Sequence, residues 1–198
     1  FATMVAPIYP VYLRNGDKSI KYDQYGNKRY DFGDGSNAGL SRPISGNANA
    51  LQTVTLDMNN SEGNAINGTG YVEVKFLKDF KFTFNGGIYF SESGETQMTN
   101  PWYGQYRTSN GMITKYRGQT FTYNLQQILN YTKQIGKHNI NAMIGHENYV
   151  ATSASLQGNK SNMFSPDMLE LPMAMKTVST SSGSSEYNNE GYFIRAQY

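Results

Sequence analysis

The sequence predicts an all-β chain of antiparallel up-and-down strands. Three observations carry that prediction. Apolar residues recur at every second position in several stretches, helical periodicity is nearly absent, and short connections alternate with long ones. Composition agrees. Only 38% of the 198 residues are hydrophobic, yet aromatics reach 14%, with 16 Tyr and 10 Phe, and 20 residues are Gly. Charged residues make up just 16%, so the mean hydropathy of −0.60 comes from Asn, Ser, Thr, Gln and Tyr. That mixture suits a β protein with long polar loops, or a β-barrel with a wet interior.

Five strands are expected in order. In 70–77, GYVEVKFL, Val72, Val74 and Phe76 alternate with Tyr71, Glu73 and Lys75. In 80–90, FKFTFNGGIYF, Phe80, Phe82, Phe84, Ile88 and Phe90 share a face opposite Lys81, Thr83, Asn85 and Tyr89. In 119–131, Phe121, Tyr123, Leu125, Leu129 and Tyr131 align, interrupted by Gln127, and Asn124 and Gln126 lie on the other face. In 138–150, Ile140, Ala142 and Ile144 oppose Asn139, Asn141 and Met143. In 191–198, Tyr192, Ile194, Ala196 and Tyr198 oppose Phe193, Arg195 and Gln197.

The first pair is expected to close through a tight hairpin at Lys78-Asp79, and the next through Thr132–Lys137. Long loops are expected at 91–118 and 151–190. Short turns alternating with long loops are the pattern of a membrane barrel. Aromatics at the strand ends (Phe76, Phe80, Phe82 and Tyr131) suit a girdle at the lipid headgroups. On this reading the phenylalanines of 80–90 face lipid; the rival is the core of a β-sandwich. The segment 1–68 reads as loop-rich with short strands, placed on the extracellular side, and Leu51–Leu56, LQTVTL, is compatible with a short strand.

Several function classes lose support. Basic residues are scattered and the net charge is only +2, which argues against a nucleic-acid partner. The absence of cysteine removes disulfides, thiolate metal sites and a cysteine nucleophile. His138 and His146, the two histidines, stand apart along one strand with no third ligand at strand spacing. Tyr22–Gly35, YDQYGNKRYDFGDG, lacks the carboxylate spacing of a calcium loop and reads as a Gly-Asn turn between short strands. No cofactor, metal site or catalytic residue is expected, and the chain does not read as an enzyme.

Two loop features invite binding. Asn100–Tyr106, NPWYGQY, holds the single Trp; Trp102, Tyr103 and Tyr106 are candidates to touch a ligand or a lid. Met163, Met168, Met173 and Met175 form an apolar patch that would dock a partner or fold back on a barrel mouth.

Several stretches together resemble one family: APIYPVYLRNGD at Ala6–Asp17, YDFG at Tyr30–Gly33, VKFLKDFKFT at Val74–Thr83, FTYNLQQILNY at Phe121–Tyr131, GKHNINAMIGHE at Gly136–Glu147 and EGYFIRAQY at Glu190–Tyr198. In this order they resemble the barrel region of SusC-like (RagA-type) TonB-dependent outer-membrane transporters. The resemblance implies a part of a barrel of about 22 strands in the outer membrane of a Gram-negative bacterium. It implies import of oligosaccharides or peptides, a SusD-like surface lipoprotein as lid, and a TonB complex engaged through an N-terminal part not seen in this chain. Because the chain begins at Phe1 and ends inside an expected strand, it reads as a fragment. Glu73, Lys75, Lys81, Asn85, Asn124, Gln126, Asn141, Glu147 and Arg195 would face the lumen or plug, with the opposite face on lipid. The rival reading is a soluble secreted β-sandwich that binds glycans or acts as an adhesin.

Overall fold

A computed structural model describes residues 9–24, 26–35, 41–43, 48–104 and 106–198. Ala6–Ile8 and Tyr25 from the stretches above, and Gln105 of the Trp loop, lie outside the described residues. Among the described residues there are one short α-helix, α1 (Ala50–Leu56), and five strands: β1 (Met58–Phe76), β2 (Phe80–Thr99), β3 (Met112–Ile135), β4 (His138–Met163) and β5 (Ala174–Gln197). They build a single antiparallel sheet in the order β1-β2-β3-β4-β5, each strand beside its neighbour in sequence.

The strands run longer than their apolar alternation predicts. β2 extends past Phe90 to Thr99, β3 starts at Met112, β4 reaches Met163 and β5 begins at Ala174. The loops expected at 91–118 and 151–190 therefore contract to 100–111 and 164–173. The added segments are rich in Ser, Asn, Gly and Thr. They are held by the main-chain ladder and by side-chain pairs such as Ser153–Ser185 (2.8 Å) and Asn159–Ser179 (2.7 Å). Such pairs leave no period-2 apolar signal.

Two other expectations are corrected. Leu51–Leu56 is helical, capped by Asn49, whose side chain accepts from the Gln52 N–H. The first hairpin turns over three residues, Leu77–Asp79, with Leu77 and Lys78 at φ 48° and 60°. Asp79 is tied to β3: its carbonyl accepts from the Thr132 N–H (2.9 Å) and its carboxylate pairs with Lys133.

The chain divides into two compact units. The first holds Phe1–Ser61, Glu95–Lys115 and Gln157–Thr180; the second holds Glu62–Gly94, Tyr116–Leu156 and Ser181–Tyr198. In the first, Ile113, Met163 and Ala174 form a small buried cluster, with Met98, Leu169 and Leu171 packed around it. Met163 thus turns inward, while Met168, Met173 and Met175 remain exposed. Isolated bridges Tyr12↔Tyr30, Arg14↔Ile20 and Tyr22↔Lys28 shape the segment before α1, and the last of these brackets the turn read from Asp23 to Asn27.

In the second unit the faces separate as alternation requires. Phe76 stacks on Phe80 (5.6 Å between centroids), and Phe80 meets Tyr131 (4.8 Å). Val72, Val74, Phe76, Phe84, Ile88, Phe90, Phe121, Ile144 and Ile194 all lie exposed.

The turn into β3 depends on Gly111, at φ +75°, where a Cβ would stand 2.9 Å from the Thr99 carbonyl oxygen. A left-handed residue pressed against backbone costs roughly 1–3 kcal/mol. Gly111→Ala is expected to lose that much stability and to speed tryptic cleavage at Arg107. Gly70→Ala, which enters open space, is expected to change neither. Thermal melts and cleavage rates of the two variants check this.

Candidate functional site

The first unit contains a cavity of about 570 Å³ lined by Tyr12, Asp23, Asn27, Lys28, Tyr30, Leu56, Trp102 and Tyr103. Its size falls within the ~300–1,000 Å³ of small-molecule sites. Two segments far apart in sequence, with Leu56 at the end of α1 between them, build it, and the placement of the two can be traced to particular bonds.

Asn100 sets the Trp102 side. It has no exposed surface. Its backbone N–H and its amide Nδ2 donate to Asp57 Oδ1 (2.9 and 2.6 Å), just after α1. Its Oδ1 accepts from the N–H groups of Trp102 and Tyr103 (3.1 and 2.9 Å). The backbone beneath both aromatic side chains is therefore fixed, while Trp102 as a residue stays 49% exposed.

Asn49 sets the other side. Besides capping α1, its Nδ2 donates to the carbonyls of Val11 and Asp31 (both 2.8 Å). Buried Arg42 donates to the carbonyls of Asp31 (3.3 Å) and Ala48 (2.5 Å). These bonds hold the bridged segment that presents Tyr12, Asp23, Lys28 and Tyr30.

The two sides meet where the Tyr103 hydroxyl donates to Asp23 Oδ2 (3.0 Å). Asp23 is oriented in turn by the Asn27 N–H (2.8 Å). Aromatic rings continue behind this bond: Tyr12–Tyr30 at 5.5 Å, Tyr30–Tyr103 at 6.2 Å and Tyr103–Phe32 at 6.2 Å. The Lys28 ammonium lies 5.2 Å from the centre of the Tyr12 ring. Burial, then the hydrogen bond to Asp23 and its charge, push the Tyr103 phenol above its usual range.

Of the three loop candidates, Trp102 and Tyr103 line the cavity and Tyr106 does not. The Tyr106 carbonyl instead accepts from the N–H groups of Ser109 and Gly111 (both 3.1 Å), closing the 3-10 turn at Arg107–Ser109. Sequence reading missed Asp23, Asn27, Lys28 and Tyr30. The available signal was a turn crowded with polar residues and tyrosines.

The second unit places most of the other candidates together on one sheet face. Glu73 pairs with Lys81 (2.8 Å) and accepts from Thr83 (3.2 Å). Asn85 donates to Gln126 (3.3 Å), and Asn124 donates to Glu147 (3.0 Å). Lys75, Asn141 and Arg195 share this face by alternation. The opposite, apolar face also carries polar side chains, among them Asn148, which donates to Asn188 (3.3 Å). His146 Nδ1 bonds Gln127, its Nε2 bonds Glu190 (2.8 Å), and Tyr192 stacks on the ring at 4.6 Å while its hydroxyl donates to Glu190 (3.1 Å). His138 bonds the Tyr198 hydroxyl and stacks on its ring. Among the described residues no group of His, Asp and Glu is arranged to hold a metal ion.

No family model and no curated protein matches the chain. Solved structures do share its fold. The RagAB peptide importer in the 'open-open' state superposes with a TM-score of 0.66 at 16% identity, over 91% of this chain. The RagAB peptide transporter gives 0.68 at 15% over 91%, and the importer in the 'closed-closed' state gives 0.72 at 14% over 86%. In each case the chain spans 19% of the longer protein. At such identities the likeness establishes the fold alone: this sheet matches part of a transporter chain.

The raised Tyr103 value has a pH signature. Because the folded value lies above the unfolded one, the phenol's contribution is full below the ordinary value of about 10. It is lost as pH climbs through the folded value. Phenolate absorbance, wild type minus Tyr103→Phe, is expected to show one tyrosine titrating above the ordinary range. Asp23→Asn is expected to bring that titration part of the way back, burial holding the remainder.

Proposed function

We propose that the chain is part of the barrel wall of a SusC-like TonB-dependent transporter in a Gram-negative outer membrane. The single observation that carries this reading is the exposed apolar face of the second unit. Phe84, Ile88, Phe90, Phe121, Ile144 and Ile194 share it, and no second sheet covers it among the described residues. A soluble protein rarely exposes so large a contiguous apolar surface. A β-sandwich would bury it against another sheet. In a bilayer it is the surface that belongs outside, and the paired polar face turns to the lumen or plug.

The edges support the same reading. β1 and β5 are exposed along nearly their whole length, and each has one side without a neighbouring strand among the described residues. Open edges are not tolerated in lipid, so both would pair with further barrel strands. On this reading the short turns are periplasmic and the longer connections extracellular. A SusD-like lipoprotein acts as lid, and TonB engages another part of the protein. The cargo is an oligosaccharide or a peptide, and no chemistry is performed on it.

Two experiments test the proposal. An antibody to the 100–111 connection is expected to detect, in outer membranes of the source bacterium, a heat-modifiable band several times larger than 22.2 kDa. A soluble band near that mass would sink the reading. Phe84→Arg is expected to block outer-membrane assembly, because a midplane charge on the lipid face costs about 2–4 kcal/mol. Asn85→Arg, on the polar face, is expected to assemble. Equal tolerance of the two would count against a barrel.

A further inference from the structure

The transporter reading leaves the cavity of the first unit without an occupant. We propose that it is a saccharide-binding site in which a sugar ring stacks on the indole of Trp102. This deepens the transporter reading and rests on it only for the fate of the bound sugar.

The indole is the platform. Its backbone is held by a buried amide and the residue is half exposed, so little ordering remains to be done when a ligand arrives. A pyranose presents flat C–H faces and a rim of hydroxyls. The first matches an aromatic ring and the second matches a polar wall. That wall is present: Asp23 accepts, Lys28 donates, and Asn27 does both. Asp23 and Lys28 cancel in charge, which favours a neutral ligand whose hydroxyls serve as donor and acceptor alike. An anionic ligand would meet Asp23, and a cationic one would meet Lys28, already poised over Tyr12.

An extended peptide fits less well. Peptides are read chiefly through main-chain bonds to an open strand edge, with side-chain pockets adding specificity. This cavity is walled by side chains, and the backbone behind it is engaged in the Tyr12↔Tyr30 and Tyr22↔Lys28 bridges. The stacked run Tyr12–Tyr30–Tyr103 stiffens the wall and keeps the polar groups in place.

The test is calorimetric titration of the whole detergent-solubilised protein. The probes are oligosaccharides from starch, cellulose, xylan and mannan, and a tryptic digest of casein. At least one oligosaccharide is expected to bind. Trp102→Ala is expected to weaken that binding about tenfold or more, as removal of a central aromatic anchor does. Trp102→Phe is expected to fall between, and Lys28→Ala to weaken binding by a smaller factor. The Tyr103 phenolate titration, unchanged in Trp102→Ala, certifies that the variant is folded; if it moves, Trp102→Phe and Lys28→Ala decide. Equal affinity in wild type and the folded variants overturns the proposal. So does failure of every oligosaccharide to bind, and so does binding of casein peptides alone, which would make the cleft a peptide site. A membrane band with Trp102-independent sugar binding overturns the cleft and leaves the transporter. A soluble band with Trp102-dependent binding does the reverse.

Discussion

The first unit depends on one buried amide. Asn100 joins the end of α1, through Asp57, to the backbone of Trp102 and Tyr103, and Tyr103 then reaches Asp23. Apolar packing there is thin: Ile113, Met163 and Ala174 make the buried cluster, and Leu13 is buried elsewhere. Asp31, Arg42, Asn49, Gln52 and Asn100 are buried in the same unit. Hydrophobic burial is non-directional and would tolerate many arrangements of these loops. Buried polar groups are directional and costly to leave unpaired, so each bond narrows the geometry. Long, Gly- and Asn-rich segments thereby acquire a fixed cavity without a large core.

The second unit is organised by a different constraint, the period of two along a strand. Alternation puts Glu73, Lys81, Thr83, Asn85, Asn124, Gln126 and Glu147 on one face, where they bond one another across strands. It puts the aromatics on the other, where many remain exposed. In water this is the wrong way out, since the larger apolar surface would be left unburied. The proposed bilayer resolves the inversion: lipid receives the apolar face, and the paired polar side chains line a wet interior.

The sheet was legible where its side chains alternate and illegible where they do not. Phe80–Phe90 and Phe121–Tyr131 announce themselves, as does the closure between Leu77 and Phe80. Ser179–Asn189, a run of Ser, Thr, Asn and Gly around Glu186 and Tyr187, carries no such pattern; main-chain pairing with β4 decides its structure. α1 runs against the local pattern, since Val54 and the threonines beside it favour strands. Asn49, directly before it, is the capping signal that marks the helix. Trp102 and Tyr103 could be singled out as loop aromatics. Asp23 could not, because it lies 80 residues from the tyrosine that binds it.

One feature opposes the lipid-facing reading at first sight: Gln127, His146 and Glu190 lie on the apolar face. Polar groups in hydrocarbon are expensive when unpaired. Here they bond one another, and Tyr192 covers the imidazole ring. Their position also matters. Strands of a closed barrel tilt by about 35–45°, so the lipid boundary crosses successive strands at different registers. The apolar stretch differs in length between β2 and β4. In β2 it extends to Phe90, ten positions beyond its first phenylalanine, whereas in β4 it runs only from Ile140 to Ile144. His146 is the next residue on the same face after Ile144, at the end of the apolar run of its own strand. A tyrosine stacked on a hydrogen-bonded histidine at such a border is what an interface between hydrocarbon and headgroups accommodates. On the proposed reading the cluster would mark where β4 and β5 leave the membrane, rather than a flaw in the surface that faces it.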